Sequence, residues 1–210
     1  MRTTLDRPRL PAGPFLVVGV GRAGQAAARA LADRCGATAV RAWDSAADTA
    51  QRRGAEALRR LGVEVRLGGD GLDAIEGVAT VVKSPGVAPD VPVLAEAERR
   101  GLEIVDELEI GWRLVEAPTV AVTGTNGKSS VAGLCVSVLG AHGLEPVLTG
   151  NTVFGPPLSA LALSPPPRSV VAEVSSYQAE SSPALVADAA IFTNLTPDHL
   201  DRYGTIEAYG

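Results

Sequence analysis

The sequence is poor in the residue types that mark several common protein classes. Aromatic residues make up only 4% of the 210 residues, which leaves few platforms for stacking nucleic-acid bases. Lysines and arginines number 19 against 24 aspartates and glutamates, so the net charge of −5 predicts no nucleic-acid partner. The two cysteines, Cys35 and Cys135, lie 100 residues apart without a pairing motif. We expect both to be small buried residues in a reducing compartment.

Long apolar runs are also lacking. No segment approaches the roughly 20 apolar residues that cross a bilayer. Residues 1–14 are rich in arginine and proline and lack the apolar core of a signal peptide. Hydrophobic residues make up 46% and charged residues 20% of the chain, which is the composition of a globular protein. We therefore expect a cytoplasmic monomer without a membrane partner.

Short apolar segments alternate with helix-forming segments along the chain. Strands are predicted at residues 15–18, 38–43, 63–67, 78–82, 102–105, 119–123, 147–148, 169–174 and 189–193. Helices are predicted at residues 25–34, 49–61, 91–100, 106–115, 128–141 and 156–163. Such alternation predicts an α/β fold in which crossover helices connect parallel strands.

A first glycine-rich loop, Gly19-Val20-Gly21-Arg22-Ala23-Gly24, fits the pattern G-x-G-x-x-G between a strand and a helix. Such glycines let the backbone approach a diphosphate at the helix N-terminus. Asp44 ends the next strand, where a carboxylate accepts hydrogen bonds from a ribose or a base. Lys83-Ser84-Pro85-Gly86 follows another strand and is either a phosphate or sugar contact or simply a turn. The pattern does not distinguish NAD from another nucleotide diphosphate, or from a tight turn without a ligand.

A second loop, Thr123-Gly124-Thr125-Asn126-Gly127-Lys128-Ser129-Ser130, also joins a predicted strand to a helix. In such loops consecutive backbone N–H groups hold phosphate oxygens. Lys128 is placed to reach the β- and γ-phosphates of a nucleotide, and the Ser129 hydroxyl to ligate Mg²⁺. The spacing Gly-x-x-Gly-Lys-Ser is shorter than the common Walker A form.

Three further segments follow the second loop: Gly150-Asn151-Thr152, Glu173-Val174-Ser175-Ser176-Tyr177-Gln178 and Asn194-Leu195-Thr196-Pro197-Asp198-His199-Leu200-Asp201-Arg202-Tyr203. In this order they resemble the Gly-Asn-x, Glu-x-Ser-Ser-Phe-Gln and Asn-x-x-x-Asp-His-x-Asp-Arg signatures of the Mur ligase superfamily. A UDP-binding domain joined directly to an ATP domain resembles the branch that adds D-glutamate to UDP-N-acetylmuramoyl-L-alanine. Two departures are Tyr177, where the family usually has Phe, and Ala23, where it often has Thr.

The resemblance implies ATP-dependent amide formation through an acyl phosphate, with UDP-N-acetylmuramoyl-L-alanine, ATP and D-glutamate as partners. It implies that Lys128, Glu173 and His199 are catalytic. It implies two Mg²⁺ sites with Ser129, Glu173 and His199 as ligands, the second completed by a carbamylated lysine after residue 210. Residues implied in ATP binding are Gly124, Thr125, Asn126, Gly127, Lys128, Ser129 and Ser130. Residues implied in binding the UDP substrate are Gly21, Arg22, Ala23, Gly24, Asp44, Ser45, Ser84, Gly86, Asn151, Ser175 and Gln178.

These observations predict a Rossmann-like parallel-sheet domain over residues 1–117 and a phosphate-loop α/β domain over residues 118–210, with the boundary at Ala117-Pro118. The second domain supplies about four strands and no closing element, so we expect it to be incomplete and the chain to be inactive alone. Two alternatives stay open at this point. In the first, the chain is a nucleotide-binding module without turnover. In the second, the first loop belongs to an NAD-dependent dehydrogenase.

Overall fold

Two parallel β-sheets organise the protein, a computed structural model of which describes residues 7–210. The strands of the first sheet are β1 (Phe15–Val18), β2 (Val40–Asp44), β3 (Glu64–Leu67), β4 (Thr80–Lys83) and β5 (Glu103–Asp106). Their spatial order is β3-β2-β1-β4-β5, and every neighbouring pair is parallel. The helices of this unit are α1 (Arg22–Cys35), α2 (Thr49–Arg59) and α3 (Pro92–Arg99), with a 3-10 turn at Ala37–Ala39.

The second sheet contains β6 (Thr119–Thr123), β7 (Pro146–Gly150), β8 (Ser169–Glu173) and β9 (Ala189–Phe192). Their order is β7-β8-β6-β9, and all pairs are again parallel. The helices are α5 (Lys128–Ala141), α6 (Ser176–Glu180), α7 (Leu200–Tyr203) and α8 (Ile206–Tyr209), and Leu158–Leu163 form a 3-10 helix. The predicted fold class, a parallel Rossmann-like sheet followed by a second α/β unit, is confirmed.

The apolar run of β1 explains why the first sheet is covered on both faces. Phe15 and Val17 pack into one hydrophobic cluster, while Leu16 and Val18 pack into another on the opposite face. Because side chains alternate along a strand, a strand that is apolar at every position buries both faces. The helices that connect parallel strands supply that cover.

Helix α4 (Glu107–Leu114) connects the two sheets and packs into both cores. Ile110 belongs to the core of the first sheet, whereas Leu108 and Trp112 belong to that of the second. Gly111 allows the closest contact, because a Cβ there would lie 2.4 Å from the backbone nitrogen of Ser159. The boundary at residue 117 stays a prediction, since the connecting helix is shared between the two units.

At the level of the fold, the structure differs from the sequence-based expectation in its short elements and in its cysteines. The short helices α6, α7 and α8 were not predicted, because four or five residues are too few to show a periodic pattern. Cys35 is exposed and Cys135 is half-buried, so the expectation that both are buried is wrong. Cys35 is the last residue of α1, where the chain turns at Gly36. Within residues 7–210, no helix is long and apolar enough to span a membrane.

Candidate functional site

The first glycine loop joins β1 to α1, and its glycines are required for different reasons. At Gly24, a Cβ would lie 1.8 Å from the carbonyl oxygen of Gly19, so only glycine lets α1 pack this closely on the loop. Gly19 itself has a φ of 94°, in the region that favours glycine. At Gly21, the residue before α1, no atom lies within 4 Å of the position of a Cβ. The N-terminus of α1 is therefore open to a ligand at Gly21.

Asp44, at the end of β2, holds the glycine loop in place. Its Oδ2 accepts a hydrogen bond of 2.7 Å from the backbone N–H of Val20, and its Oδ1 accepts one of 2.9 Å from that of Ala46. A carboxylate has about four acceptor positions, so these two bonds leave others for a ligand hydroxyl or N–H. Asp44 thus both shapes the loop and offers acceptors to a ligand.

The turn after β4 contributes Ser84 to the same loop but directs Lys83 elsewhere. The Ser84 hydroxyl donates to the carbonyl of Gly19 at 3.2 Å. Lys83 is 5% exposed and faces Asp106 on the neighbouring strand β5. Burial lowers the pKa of Lys83, although Asp106 opposes this shift. Lys83 is not among the residues lining the cleft described next, so the structure gives no support to its role as a phosphate contact.

A cleft of about 610 Å³ lies between the first glycine loop and the second unit. Nine of the eleven residues predicted to bind a UDP substrate line it: Gly21, Arg22, Ala23, Asp44, Ser45, Ser84, Gly86, Asn151 and Gln178. Residues 150–153 and Gln178 come from the second unit, whereas the glycine loop comes from the first. The fold thus brings together segments that are more than 100 residues apart in the sequence.

The other two predicted residues, Gly24 and Ser175, lie outside the cleft lining. Gly24 packs against Gly19, as described above. Ser175 is the N-cap of α6: its hydroxyl accepts from the N–H of Gln178 at 3.4 Å and donates to Oε1 of the same residue at 3.2 Å. This capping box uses the Ser175 hydroxyl within the helix end and positions Gln178, whose side chain lines the cleft.

Several lining residues were missed by the sequence analysis, among them Trp43, Gln51, Val87, Glu107 and Val153. The indole N–H of Trp43 donates to the carbonyl of Gly68 at 3.0 Å. These residues belong to no motif. The one local signal near the cleft that the sequence analysis did not use is the serine-to-glutamine spacing of the capping box at Ser175, which marks the start of α6.

The second glycine loop turns at two glycines with positive φ just before α5. Gly127 has a φ of 84° and precedes α5 directly. Gly124 has a φ of 125°, and a Cβ there would lie 2.2 Å from the hydroxyl oxygen of Thr193. Lys128 folds back over the loop, and its Nζ donates to the carbonyls of Gly124 at 2.8 Å and Thr125 at 2.9 Å. An ammonium has three N–H donors, so one remains for a ligand.

Residues 194–196, which follow β9, hold this loop in place by hydrogen bonds. The Thr125 N–H donates to the carbonyl of Asn194 at 2.8 Å, and the Asn126 N–H donates to Asn194 Oδ1 at 3.1 Å. The Thr196 N–H donates to the Thr125 hydroxyl at 3.0 Å. The backbone N–H groups of Thr125 and Asn126 are therefore used within the protein. The N–H groups of residues 127–130 have no partner within the helix, so they are the ones left for the predicted phosphate contact.

Glu173 ends β8, next to the strand that carries this loop. It is 4% exposed, and its Oε2 is buried without a hydrogen-bond partner. Such an oxygen is costly to bury unless something binds it. Its backbone carbonyl accepts a 2.7 Å hydrogen bond from the N–H of Asn151, which lines the cleft. Because carboxylate and hydroxyl oxygens are the ligands that Mg²⁺ prefers, Glu173 and the exposed Ser129 fit the cation predicted here.

His199 lies in a cluster of aromatic rings. Its imidazole is 4.9 Å from the ring of Tyr177 and 6.1 Å from that of Tyr209, between ring centroids. Its Nε2 lies 3.7 Å from Asp198 Oδ2. His199 is the N-cap of α7 and has a left-handed φ of 51°. In the part of the chain that the structure describes, no three His, Cys, Asp or Glu side chains converge on one point. The second Mg²⁺ site stays a prediction.

Two residues with buried carboxyl groups, Asp106 and Glu107, connect the two units beside the cleft. Glu107, fully buried, accepts hydrogen bonds from the N–H of Ser159 at 2.7 Å and from its hydroxyl, and burial raises its pKa. The Asp106 N–H donates to the carbonyl of Ser181 at 2.6 Å. Oδ1 of Asp106 caps α4, whereas Oδ2 has no hydrogen-bond partner. Burial raises the pKa of the Asp106 carboxyl group to about 7.

We expect the stability of the protein to fall as the pH rises from 5 to 8. Asp106 has an ordinary pKa of 3.8 and a folded-state value of about 7, so the folded state binds more protons than the unfolded state between these values. The free energy of unfolding therefore decreases with pH, by roughly 1–3 kcal/mol over this range. Urea denaturation at several pH values measures the slope.

Asp106→Asn is expected to flatten that slope, because asparagine does not titrate and still caps a helix. The matched control is Asp90→Asn at an exposed position, which we expect to keep the wild-type slope. A slope that is equally steep in Asp106→Asn would show that Asp106 is ionised in the folded protein.

Comparison with known protein families divides the chain as the two sheets do. The family description "Mur ligase MurD-like, N-terminal domain" matches residues 14–106, and "Mur ligase middle domain" matches residues 122–210. Among curated relatives, the UDP-N-acetylmuramoylalanine--D-glutamate ligase of Synechococcus sp. (strain JA-3-3Ab) is 41% identical over 206 residues, covering 92% of this chain and 43% of that protein. The enzyme of the same name from Frankia casuarinae is 41% identical over 199 residues, covering 93% and 41%. The chain thus spans less than half the length of the curated relatives that it matches.

Two solved structures share the fold. The UDP-N-acetylmuramate:L-alanyl-gamma-D-glutamyl-meso-diaminopimelate ligase of Neisseria meningitides aligns with a TM-score of 0.56 and 21% identity, covering 93% of this chain and 64% of that one. The UDP-N-acetylmuramate-alanine ligase of Thermotoga maritima aligns with a TM-score of 0.53 and 22% identity, covering 94% and 45%. At these identities the alignments show a common architecture and no more.

Proposed function

Because this chain consists of the N-terminal and middle domains of the Mur ligases and so belongs to that family, we propose that it serves the ATP-dependent joining of D-glutamate to UDP-N-acetylmuramoyl-L-alanine. The reaction is the one in the names of relatives that are 35–41% identical. Since the chain spans less than half of their length, the activity and substrates of the whole protein are part of the proposal.

The cleft shared by the two units is the observation that carries the proposal. A UDP-linked substrate held by the first glycine loop would extend toward residues 150–153 and Gln178 of the second unit. From there, Asn151 is joined to Glu173 by a direct hydrogen bond of 2.7 Å. Glu173 in turn lies on the strand next to the phosphate loop. This arrangement supports an acceptor substrate in the cleft and a phosphate donor beside it.

The residues divide between two ligands. For the UDP substrate, the open N-terminus of α1 at Gly21 and the side chain of Arg22 face the diphosphate. The free acceptor positions of Asp44 suit the ribose or the base. For ATP, the N–H groups at the start of α5 and the ammonium of Lys128 hold the phosphates. ATP and Mg²⁺ are thus the proposed cofactors, and Ser129 with Glu173 would hold the first Mg²⁺.

The proposed chemistry activates a poor electrophile. A carboxylate oxygen of the substrate's L-alanine attacks the γ-phosphorus of ATP, which yields an acyl phosphate and ADP. The amine of D-glutamate then attacks the acyl carbon, loses a proton, and inorganic phosphate leaves. Lys128 stabilises the charge on the transferred phosphoryl group. Magnesium at Ser129 and Glu173 would supply further neutralisation of phosphate charge, and His199 is the proposed ligand of a second ion. We place this reaction in the cytoplasm, on a monomer.

Calorimetric titration of the chain with UDP-N-acetylmuramoyl-L-alanine tests the proposal, with NADH as the parallel ligand. We expect saturable binding of the UDP compound and none of NADH. Binding of NADH alone would make the first loop a dinucleotide site and overturn the ligase function. Binding of neither ligand would remove the cleft as the substrate site.

Asp44→Ala is expected to weaken binding of the UDP compound about tenfold, or about 1.4 kcal/mol. The variant removes both a ligand acceptor and the bond that holds the N–H of Val20. The affinity for ATP should not change, because Asp44 lies in the first unit. The exposed N-cap residue Asp48, on the same connection, provides the control Asp48→Asn. Unchanged affinity of Asp44→Ala for the UDP compound would remove Asp44 from the site.

A further inference from the structure

Arg22 holds a loop of the second unit against the first glycine loop. It is the first residue of α1, and its guanidinium donates to the backbone carbonyl of Gly155. The contact joins residues 133 positions apart and crosses from one unit to the other. Residues 151–155, which we call the cleft loop, thus have their far end tied to the N-terminus of α1.

The cleft loop has fixed ends and an exposed tip. A Cβ at Gly150 would lie 2.2 Å from the carbonyl oxygen of Glu173, and one at Gly155 would lie 1.9 Å from that of Leu148, so both ends pack directly on backbone. At the tip, Val153 is 81% exposed and Phe154 is 79% exposed. Val153 also lines the cleft. The apolar side chains of Val153 and Phe154 are therefore exposed to solvent at the edge of the cleft.

The charges in the cleft single out Arg22. Among the described residues that line the cleft, Arg22 is the one basic side chain, while Asp44 and Glu107 are acidic. A diphosphate carries at least two negative charges and needs a cation in such a place. A guanidinium has five N–H donors, of which the Gly155 carbonyl uses one, so the same group can bind phosphate oxygens and the loop together.

We propose that Arg22 keeps its bond to the Gly155 carbonyl while the same guanidinium binds the phosphate oxygens of a nucleoside diphosphate, so that the exposed tip of the cleft loop closes over the ligand. This inference rests on the proposed function, because it assumes that a UDP-linked compound occupies the cleft. Arg22 is then a positioning residue for the loop as well as a charge contact for the ligand. Closure brings Val153 and Phe154 over the part of the ligand that follows the diphosphate.

Closure of the cleft loop is measured by the rate at which chymotrypsin cleaves the chain after Phe154, with the products identified by mass spectrometry. The ligand used in this experiment is UDP. We expect saturating UDP to slow this cleavage about fivefold or more while uridine, which has no phosphate, does not. Cleavage after Phe192, which is 58% exposed on β9, serves as the internal reference and should not change. Calorimetry measures the affinity for UDP in the same samples.

Variants of Arg22 separate its charge from its bridging role. Arg22→Met is expected to weaken UDP binding about tenfold and to remove the protection at saturating UDP. Arg22→Lys keeps the charge without the planar fork, so it should bind UDP more tightly than Arg22→Met and still lose most of the protection. Arg29→Met, at an exposed position on the same helix, is the control and should behave as wild type.

The outcomes distinguish this inference from the proposed function. Tight UDP binding with equal protection in wild type and Arg22→Met would overturn the bridging role and leave the UDP site intact. Tight binding without protection in the wild type would also overturn loop closure. Absence of UDP binding to the wild type would overturn both.

Discussion

Lys128→Ala is expected to lower the affinity for MgATP at least about a hundredfold, or about 2.7 kcal/mol. In the full-length protein the same change is expected to abolish ADP formation. The ammonium is the cationic side chain in the second glycine loop, and it stands directly at the start of α5. Its two bonds to the carbonyls of Gly124 and Thr125 leave it one donor and its full charge for phosphate oxygens. Calorimetric titration with ATP in the presence of Mg²⁺ measures the loss.

Two further variants show whether the effect is due to charge. Lys128→Gln retains N–H donors for the loop carbonyls but carries no charge, so we expect it to lose nearly as much ATP affinity as Lys128→Ala. Ser137→Ala lies at an exposed position on the same helix and should bind ATP as the wild type does. Binding of the UDP compound should persist in all three. Simultaneous loss of both ligands in Lys128→Ala would contradict two separate sites.

Gly24→Ala is expected to destabilise the protein by about 3 kcal/mol or more and to abolish binding of the UDP compound. In an ordinary helix interior the same change stabilises by roughly 0.5–1 kcal/mol, because alanine loses less backbone entropy than glycine on folding. Here the added Cβ would lie 1.8 Å from the backbone oxygen of Gly19, which belongs to the loop itself and cannot move aside like a flexible side chain. The clash therefore outweighs the propensity gain and displaces α1 from β1.

Gly21→Ala is the matched control for this prediction. Its φ of −70° suits any residue, and no atom lies within 4 Å of the new Cβ, so we expect a change in stability below about 1 kcal/mol. The added methyl group projects into the cleft where the UDP compound is proposed to bind. We therefore expect the affinity for that compound to fall while the free energy of unfolding stays nearly the same. Urea denaturation together with calorimetry measures both quantities. Equal stability of the Gly24→Ala and Gly21→Ala variants would contradict the close packing of α1 on the loop.

Much of the fold follows from local patterns in the sequence. The apolar run at residues 15–18 and the glycines around residue 20 predicted β1, the loop and α1, and the structure has the three in that order. The strand at residues 119–123 and the helix at 128–141 were predicted with the bounds they have. Backbone conformation in such segments depends on hydrophobic periodicity and on glycine, both of which act within a few residues.

Individual roles within the site were less accessible from sequence. Ser175 lies in a signature segment, yet its hydroxyl caps α6 rather than lining the cleft. Lys83 sits in a typical turn position after a strand, yet it is buried against Asp106. In both cases the residue type suits either role, and the direction of the side chain decides between them.

By itself, the sequence determined the alternation of strands and helices, the two glycine loops and the family signatures, because these depend on residues that are neighbours along the chain. Only the tertiary structure decided that Arg22 meets Gly155, that Asn151 meets Glu173, and that one cleft receives side chains from both units. Contacts of this kind depend on how α4 and the 3-10 helix at Leu158–Leu163 pack together. That packing is set by close complementarity of side chains and backbone across more than 40 residues of sequence, which no local pattern encodes.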